Sequence, residues 1–225
     1  MERQMHHIRP YQLLGIPDAY ADEIRFFMPQ AQGAGSLHTI ESVLLVKLLR
    51  IVEPRLVFEF GTYKGLTTRL LLANLPAIPE MEGPRILTLD LPTLDDVEFQ
   101  GTDIDLAREV LGSERAYQRE REAHLVHQLL QDSMRLDPTP WSGQVLYIFI
   151  DANHALPYVR QDTENAFAML SPGRGVVIWH DYGHPEFPEL TAYLEELART
   201  RPLFHVEGTK LVFQPQGFDV RPRNA

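Results

Sequence analysis

"QVLYIFIDANHALPYVRQDTENAFAML", residues 144 to 170, sets out a strand, a turn and a helix in that order. Its apolar run ends at Ile150, Asp151 follows directly, and His154 comes three residues later. Hydrophobic residues on consecutive positions predict a strand covered on both faces rather than one that alternates between core and water. Pro157, at a first-turn position, starts a helix that "SPGRG" (171–175) stops. A second run, "GVVIWHDYGH" (175–184), repeats the pattern and ends on His180 and Asp181.

Outward from this unit the same alternation continues. "RLVFEFG" (55–61), "RILTLDL" (85–91) and "HLVHQLL" (124–130) predict further strands, with helical patterns in "LTTRLLLANL" (66–75) and "DIDLAREVLG" (103–112) between them. Strand and helix in series imply parallel strands joined by crossover helices, so the fold class is a doubly wound α/β sheet. "SLHTIESVLLVKLLRIVEP" (36–54) reads as a helix packed on that sheet. After the helix "PELTAYLEELART" (188–200), "PLFHVEGTKLVFQP" (202–215) predicts two strands about a tight turn, hence an antiparallel C-terminal hairpin. Residues 36–225 form the main domain; residues 1–35 are an N-terminal arm, either a lid over the site or an arm that closes a homodimer. The stretch 92–123, acidic and then mixed in charge, reads as a solvated helix.

Composition narrows the function classes. The 225 residues suffice for a full hydrophobic core without staples, and 44% hydrophobic with 23% charged residues is ordinary for a globular protein. Cysteine is absent, which excludes disulfides, thiolate nucleophiles and iron–sulfur clusters, and suits a cytoplasmic location. With 31 acidic against 21 basic residues the net charge is −10, a field that repels phosphate backbones, so no nucleic-acid partner is expected. Apolar stretches fall short of the ~18 residues a membrane span needs, so no membrane partner is expected either.

The chemistry-bearing residues fall at strand ends. In "FEFGTYKG" (58–65), Glu59, Gly61 and Gly65 precede a helix, where glycines let the backbone turn sharply and approach a ligand. The spacing E-x-G-x-x-x-G lacks the second glycine of a dinucleotide fingerprint, and no Gly-Lys-Ser/Thr follows to make a Walker loop. Asp90 ends "LTLDLP" (87–92), where a carboxylate can take both ribose hydroxyls of a nucleoside. Asp132 and Ser133 in "LLQDS" (129–133) stand where an adenine edge can be read, and Asp151 ends the next strand. Acidic groups at the C-terminal ends of parallel strands face one crevice, and so many carboxylates suit a sulfonium and an amino group better than a phosphate.

The ordered set "VFEFGTYKG", "LTLDLP", "LLQDS", "YIFIDANH", "LSPGRGVVIWHDY" and the hairpin resembles the class I S-adenosylmethionine-dependent methyltransferases over roughly residues 36–215. Within that superfamily the run from "FIDANH" to "VVIWHD" is similar to the group containing macrolide-sugar and cephalosporin-pathway methyltransferases. The resemblance implies a seven-stranded sheet, S-adenosylmethionine as cofactor, and a small-molecule acceptor. It implies that Glu59, Gly61 and Gly65 contact the methionine part, Asp90 the ribose, and Asp132 with Ser133 the adenine. Asp151 and Asp181 match metal-ligand positions, with His180 standing where those families usually carry Asp or Glu. His154 matches a general-base position. Two carboxylates and an imidazole from Asp151, His180 and Asp181 would suit a divalent ion: oxygen donors favour Mg²⁺ or Mn²⁺, and an imidazole tilts the choice to Mn²⁺, Fe²⁺ or Zn²⁺. The expected activity is O-methylation of a small hydroxylated metabolite. The alternatives are a non-catalytic binding module that keeps the fold and, further off, a metal-dependent hydrolase or hydroxylase.

Overall fold

A computed structural model describes residues 4–18, 35–78 and 82–220. In chain order these hold β1 (His6–Ile8), α1 (Pro10–Leu14), α2 (Thr39–Val52), β2 (Val57–Phe60), α3 (Leu66–Asn74), β3 (Ile86–Asp90) and α4 (Asp103–Val110). There follow β4 (Val126–Leu130), β5 (Tyr147–Ile150), α5 (Leu156–Met169), β6 (Gly175–Trp179), α6 (Pro188–Ala198), β7 (Phe204–Val206) and β8 (Val212–Gln216). The described strands form one sheet in the order β1-β7-β8-β6-β5-β2-β3-β4. β2, β3, β4, β5 and β6 pair in parallel, while β8 runs antiparallel to both β6 and β7. This is the doubly wound sheet with its antiparallel hairpin.

The consecutive apolar residues have a simple geometric cause. Side chains alternate across a strand, and here both faces are covered. Val57, Tyr147, Phe149, Val176 and Ile178 pack into one core beneath α2, with Leu44, Leu45, Leu48 and Leu49. Phe58, Phe60, Ile148, Ile150, Val177 and Trp179 enter the other, against Val159 and Met169 of α5 and Leu190 and Leu194 of α6. β4 differs. It closes the sheet at one edge, and Leu130 is 61% exposed.

The seven-strand expectation gains an eighth strand. His6–Ile8 pairs in parallel with Phe204–Val206, so the start of the N-terminal arm is part of the sheet. Residues 19–34 of that arm lie outside the described residues. The solvated helix expected within 92–123 is shorter than its pattern suggested: α4 covers Asp103–Val110, and two short 3₁₀ turns at Ala116–Arg119 and Ala123–Leu125 lead into β4. Among the described residues no helix is long and apolar enough to cross a membrane.

Register sets the position of the site. Phe60 pairs with Leu89 on one side and Ile150 on the other, and Ile150 pairs with Trp179. The residues that come next, Gly61, Asp90, Asp151 and His180, therefore lie in a row along the C-terminal edge of four adjacent parallel strands. Backbone bonds hold the row together: Gly61 N to Leu89 O at 2.9 Å, Asp151 N to Phe60 O at 3.0 Å, and His180 N to Ile150 O at 3.1 Å.

Candidate active site

A cavity of about 400 Å³ opens over this edge, within the size range of small-molecule sites. Gly61, Asp90, Ser133, Asp151, His154, His180 and Asp181 all line it. The strand ends thus bring together seven of the ten residues singled out in the sequence. The other three stand back from the cavity wall. Gly65 is the N-cap of α3 at φ +70° and serves the turn. Asp132 accepts a hydrogen bond from Met134 N at 3.0 Å and caps a short 3₁₀ turn.

Glu59 is fully buried beneath the glycine loop. Its Oε2 accepts bonds from Thr68 Oγ1 at 2.5 Å and Thr88 Oγ1 at 2.6 Å. Thr88 Oγ1 in turn lies 2.7 Å from Thr62 Oγ1, and Thr62 does line the cavity. Burial pushes the Glu59 carboxyl up to about 8, against the pull of the two threonines, so it carries its proton at neutral pH. Glu59 therefore reaches the wall through two hydroxyls rather than directly.

Gly61 shows why glycine stands there. Its φ is +92°, and a Cβ would lie 2.1 Å from the carbonyl oxygen of Asp151. The first strand end and the Asp151 turn are pressed together at that point.

Asp90 sits at the tip of β3, its side chain 19% exposed. Oδ1 accepts from Leu91 N at 3.0 Å, and Oδ2 lies 3.2 Å from the guanidinium of Arg115. Burial raises the Asp90 carboxyl and the Arg115 charge opposes that rise. Arg115 is itself buried, donating to the carbonyls of Val110 and Ser113. A carboxylate offers about four acceptor positions. Leu91 N, Arg115 and the Tyr63 backbone use three, so Asp90 can still accept from one ribose hydroxyl.

Asp151, His154, His180 and Asp181 form a dense charge cluster. His154 Nε2 lies 3.0 Å from Asp181 Oδ2 and 4.0 Å from Asp151 Oδ1. Asp181 Oδ2 also accepts from His180 Nδ1 at 2.9 Å, and its Oδ1 from Lys210 Nζ at 2.9 Å. His180 Nδ1 is 3.4 Å from Asp151 Oδ1, and its Nε2 is 3.3 Å from Glu41 Oε2. Glu41, fully buried in the first turn of α2, also accepts from His38 N and Lys210 N at 2.8 Å each.

Mutual compensation governs the titration of this cluster. Burial works against charge on His154, but its bonds to Asp103 and Asp181 outweigh that and carry its pKa to about 10. His180 is driven well above its usual value, burial again opposing and the Asp151 charge leading the rise. Burial would raise Asp181, yet the two imidazoles hold it well below the carboxylate range. Glu41 is likewise lowered to about 2, with burial opposing and His180 prevailing. Asp181 adopts φ +60°, a left-handed conformation uncommon outside glycine and found at functional sites.

One donor atom each from Asp151, His154 and Asp181 lies within 4.8 Å of the others. Two carboxylates and an imidazole at that spacing fit a divalent cation. His180, expected as a ligand, sits against the same carboxylates, its Nδ1 2.9 Å from Asp181 Oδ2 and 3.4 Å from Asp151 Oδ1. Asp103, Lys210 and Glu41 were not singled out in the sequence. Each lies far along the chain from the residues it contacts and carries no motif.

A family model described as "Methyltransferase domain" matches residues 58–182. No curated protein matches the sequence. Among solved structures, a putative caffeoyl-CoA O-methyltransferase from Staphylococcus aureus is 16% identical at a TM-score of 0.55, over 81% of this chain and 85% of that one. The O-methyltransferase TomG from Streptomyces achromogenes, involved in tomaymycin synthesis and solved with S-adenosylmethionine, is 20% identical at 0.50, over 81% and 82%. CalS11, a TDP-rhamnose 3'-O-methyltransferase of calicheamicin biosynthesis, is 17% identical at 0.55, over 79% of each chain. At these identities the solved structures share the fold. The chain belongs to the methyltransferase domain family: it is an S-adenosylmethionine-dependent methyltransferase of the class I α/β fold.

Proposed function

We propose that the enzyme transfers the methyl group of S-adenosylmethionine to a hydroxyl oxygen of a small metabolite, at the end of the cavity built by Asp151, His154 and Asp181. The observation that carries this reading is that those donor atoms converge in the same cavity that Gly61, Asp90 and Ser133 also line. Asp90 would hold a ribose hydroxyl. Ser133 would face the adenine, and the carboxylates would draw the sulfonium towards the cluster by simple Coulomb attraction.

In methyl transfer a lone pair on the acceptor oxygen attacks the methyl carbon, the carbon–sulfur bond breaks, and its electron pair stays on sulfur. Products are the methyl ether, S-adenosylhomocysteine and the hydroxyl proton. Much of the acceleration in such a displacement comes from holding nucleophile and methyl group in line. The residues available for that task here are those around the cluster, with Phe187 stacked on the His154 ring at 3.9 Å between centroids. Asp151, His154 and Asp181 would hold a divalent ion, which when bound lowers the pKa of a hydroxyl next to it.

The sequence offered His154 as the proton acceptor. Its geometry favours a different part, because both ring nitrogens already face carboxylates. Such a ring takes up no further proton. Either part predicts that His154→Gln keeps S-adenosylhomocysteine affinity within about threefold by calorimetry and lowers turnover by about 10²-fold or more. Turnover near wild type in that variant removes His154 from the reaction. Failure of the wild-type enzyme to convert donor with any hydroxylated acceptor sinks the O-methylation reading.

A further inference from the structure

Asp103 lies in the stretch that the sequence gives no role, at the first residue of α4, and it is 7% exposed. Its carboxylate reaches the turn after β5. Oδ2 accepts from the backbone N of His154 at 2.9 Å, and the two oxygens lie 2.9 and 3.0 Å from ring Nδ1. The backbone contact fixes the root of the side chain, and the ring contact fixes its rotation. Phe187, stacked at an interplanar angle of 8°, fixes the ring plane.

With Nδ1–H given to Asp103, the nitrogen open to a cation is Nε2, where a bound ion would take the place of the ring's second proton. That atom faces Asp181 Oδ2 at 3.0 Å and Asp151 Oδ1 at 4.0 Å. Histidines that ligate metals nearly always donate their other ring N–H to a carboxylate, carbonyl or water, which sets tautomer and orientation.

We propose that Asp103 is a positioning residue for a metal centre in which His154 Nε2 is a ligand beside Asp151 and Asp181. This rests on the reading that Asp151 and Asp181 hold the ion of a methyl-transfer site. An imidazole beside two carboxylates favours Mn²⁺, Fe²⁺, Co²⁺ or Zn²⁺ over Mg²⁺, which prefers oxygen ligands and water. His180 is wedged between Glu41 and the carboxylates and is left outside the proposed ligand set.

The test uses the full chain with saturating S-adenosylhomocysteine and Mn²⁺ as the probe. Pulsed electron paramagnetic resonance of the wild type is expected to show ¹⁴N coupling from a bound imidazole. His154→Gln loses that coupling and His180→Gln keeps it. Asp103→Asn, folded and with unchanged S-adenosylhomocysteine affinity, binds Mn²⁺ about 10- to 100-fold more weakly. The proposal is overturned by absence of Mn²⁺ binding or of ¹⁴N coupling in the wild type. Coupling that survives in His154→Gln overturns it equally, as does an Asp103→Asn affinity within twofold of wild type. If Asp103→Asn fails to fold, Asp103→Glu takes its place and must bind Mn²⁺ more weakly than wild type. Loss of the ¹⁴N signal alone, with donor binding and turnover intact, sinks this proposal and leaves the methyltransferase reading standing. Absence of S-adenosylhomocysteine binding sinks that reading instead.

Discussion

Asp90→Ala should weaken S-adenosylhomocysteine binding by about 10- to 10²-fold. A hydrogen bond to a charged acceptor contributes about 1.5–3 kcal/mol, and Asp90 has one acceptor position left for the ribose. Each 1.4 kcal/mol is about a factor of ten in affinity. Position supports this size of effect: Asp90 is on the cavity wall at the tip of β3, next in the row to Gly61. The substitution also strips a carboxylate from the buried Arg115 guanidinium, so some loss of stability should accompany it. Arg115 keeps its bonds to the Val110 and Ser113 carbonyls, which makes local adjustment rather than unfolding the expected outcome. Calorimetry beside a thermal melt separates the two effects. A folded Asp90→Ala protein with affinity within threefold of wild type would place the ribose elsewhere.

Gly61→Ala should be the most damaging single-methyl change in the site. A Cβ there would meet the Asp151 carbonyl oxygen at 2.1 Å and its carbonyl carbon at 2.8 Å, both backbone atoms that cannot rotate away. The backbone is also left-handed, with φ +92°. Strained φ costs about 1–3 kcal/mol and overpacking costs about 1–3 more. Together they take a sizeable share of the 5–15 kcal/mol that holds a typical domain folded. Relief must come from separating the tips of β2 and β5, which moves Asp151 away from the cluster. Expected results are a Tm lower by roughly 5–20 °C and loss of S-adenosylhomocysteine binding. An unchanged Tm would show that the two tips can part freely. Gly65→Ala makes a useful contrast, since its Cβ would meet side-chain atoms of Arg115 and Tyr117 at 2.9 Å as well as a backbone nitrogen at 3.2 Å. That variant should cost stability through the α3 cap with less displacement of Asp151.

What could be read from the chain follows from how local each signal is. The central strands were legible because both of their faces are covered, and continuous apolar runs such as "YIFI" record that directly. The order of those runs then placed Asp90, Asp151 and His180–Asp181 at neighbouring tips, since parallel strands share one carboxyl-end edge. β1 escaped notice because "HHI" is three residues long and lies between charged residues and Pro10; its partner β7 lies almost 200 positions away. Tertiary pairing, not propensity, makes it a strand.

The site was partly legible for the same reason. Residues at strand ends announce themselves; the groups that hold them do not. Asp103 sits among other acidic residues on an amphipathic helix, so its selection of His154 depends on how the loop before α4 folds back. Lys210 is in the hairpin turn region and Glu41 in an N-terminal helix, yet both close on the Asp181 and His180 pair. Glu59 shows the opposite failure. Its position in the glycine-loop pattern suggested contact with the cofactor, but a strand residue whose side chain points into the core reaches the cavity only through Thr88 and Thr62.

The central claim is that one hollow receives the adenosyl group at Asp90 and Ser133 and presents its sulfur to Asp151, His154 and Asp181. A crystal structure of the enzyme with S-adenosylhomocysteine and Mn²⁺ tests this most directly. Expected are the ribose on Asp90, adenine beside Ser133, sulfur facing the cluster, and the ion bound by Asp151, His154 and Asp181. Nucleoside bound away from Asp90, or the ion found on other residues with the cluster's own ion pairs intact, would contradict it.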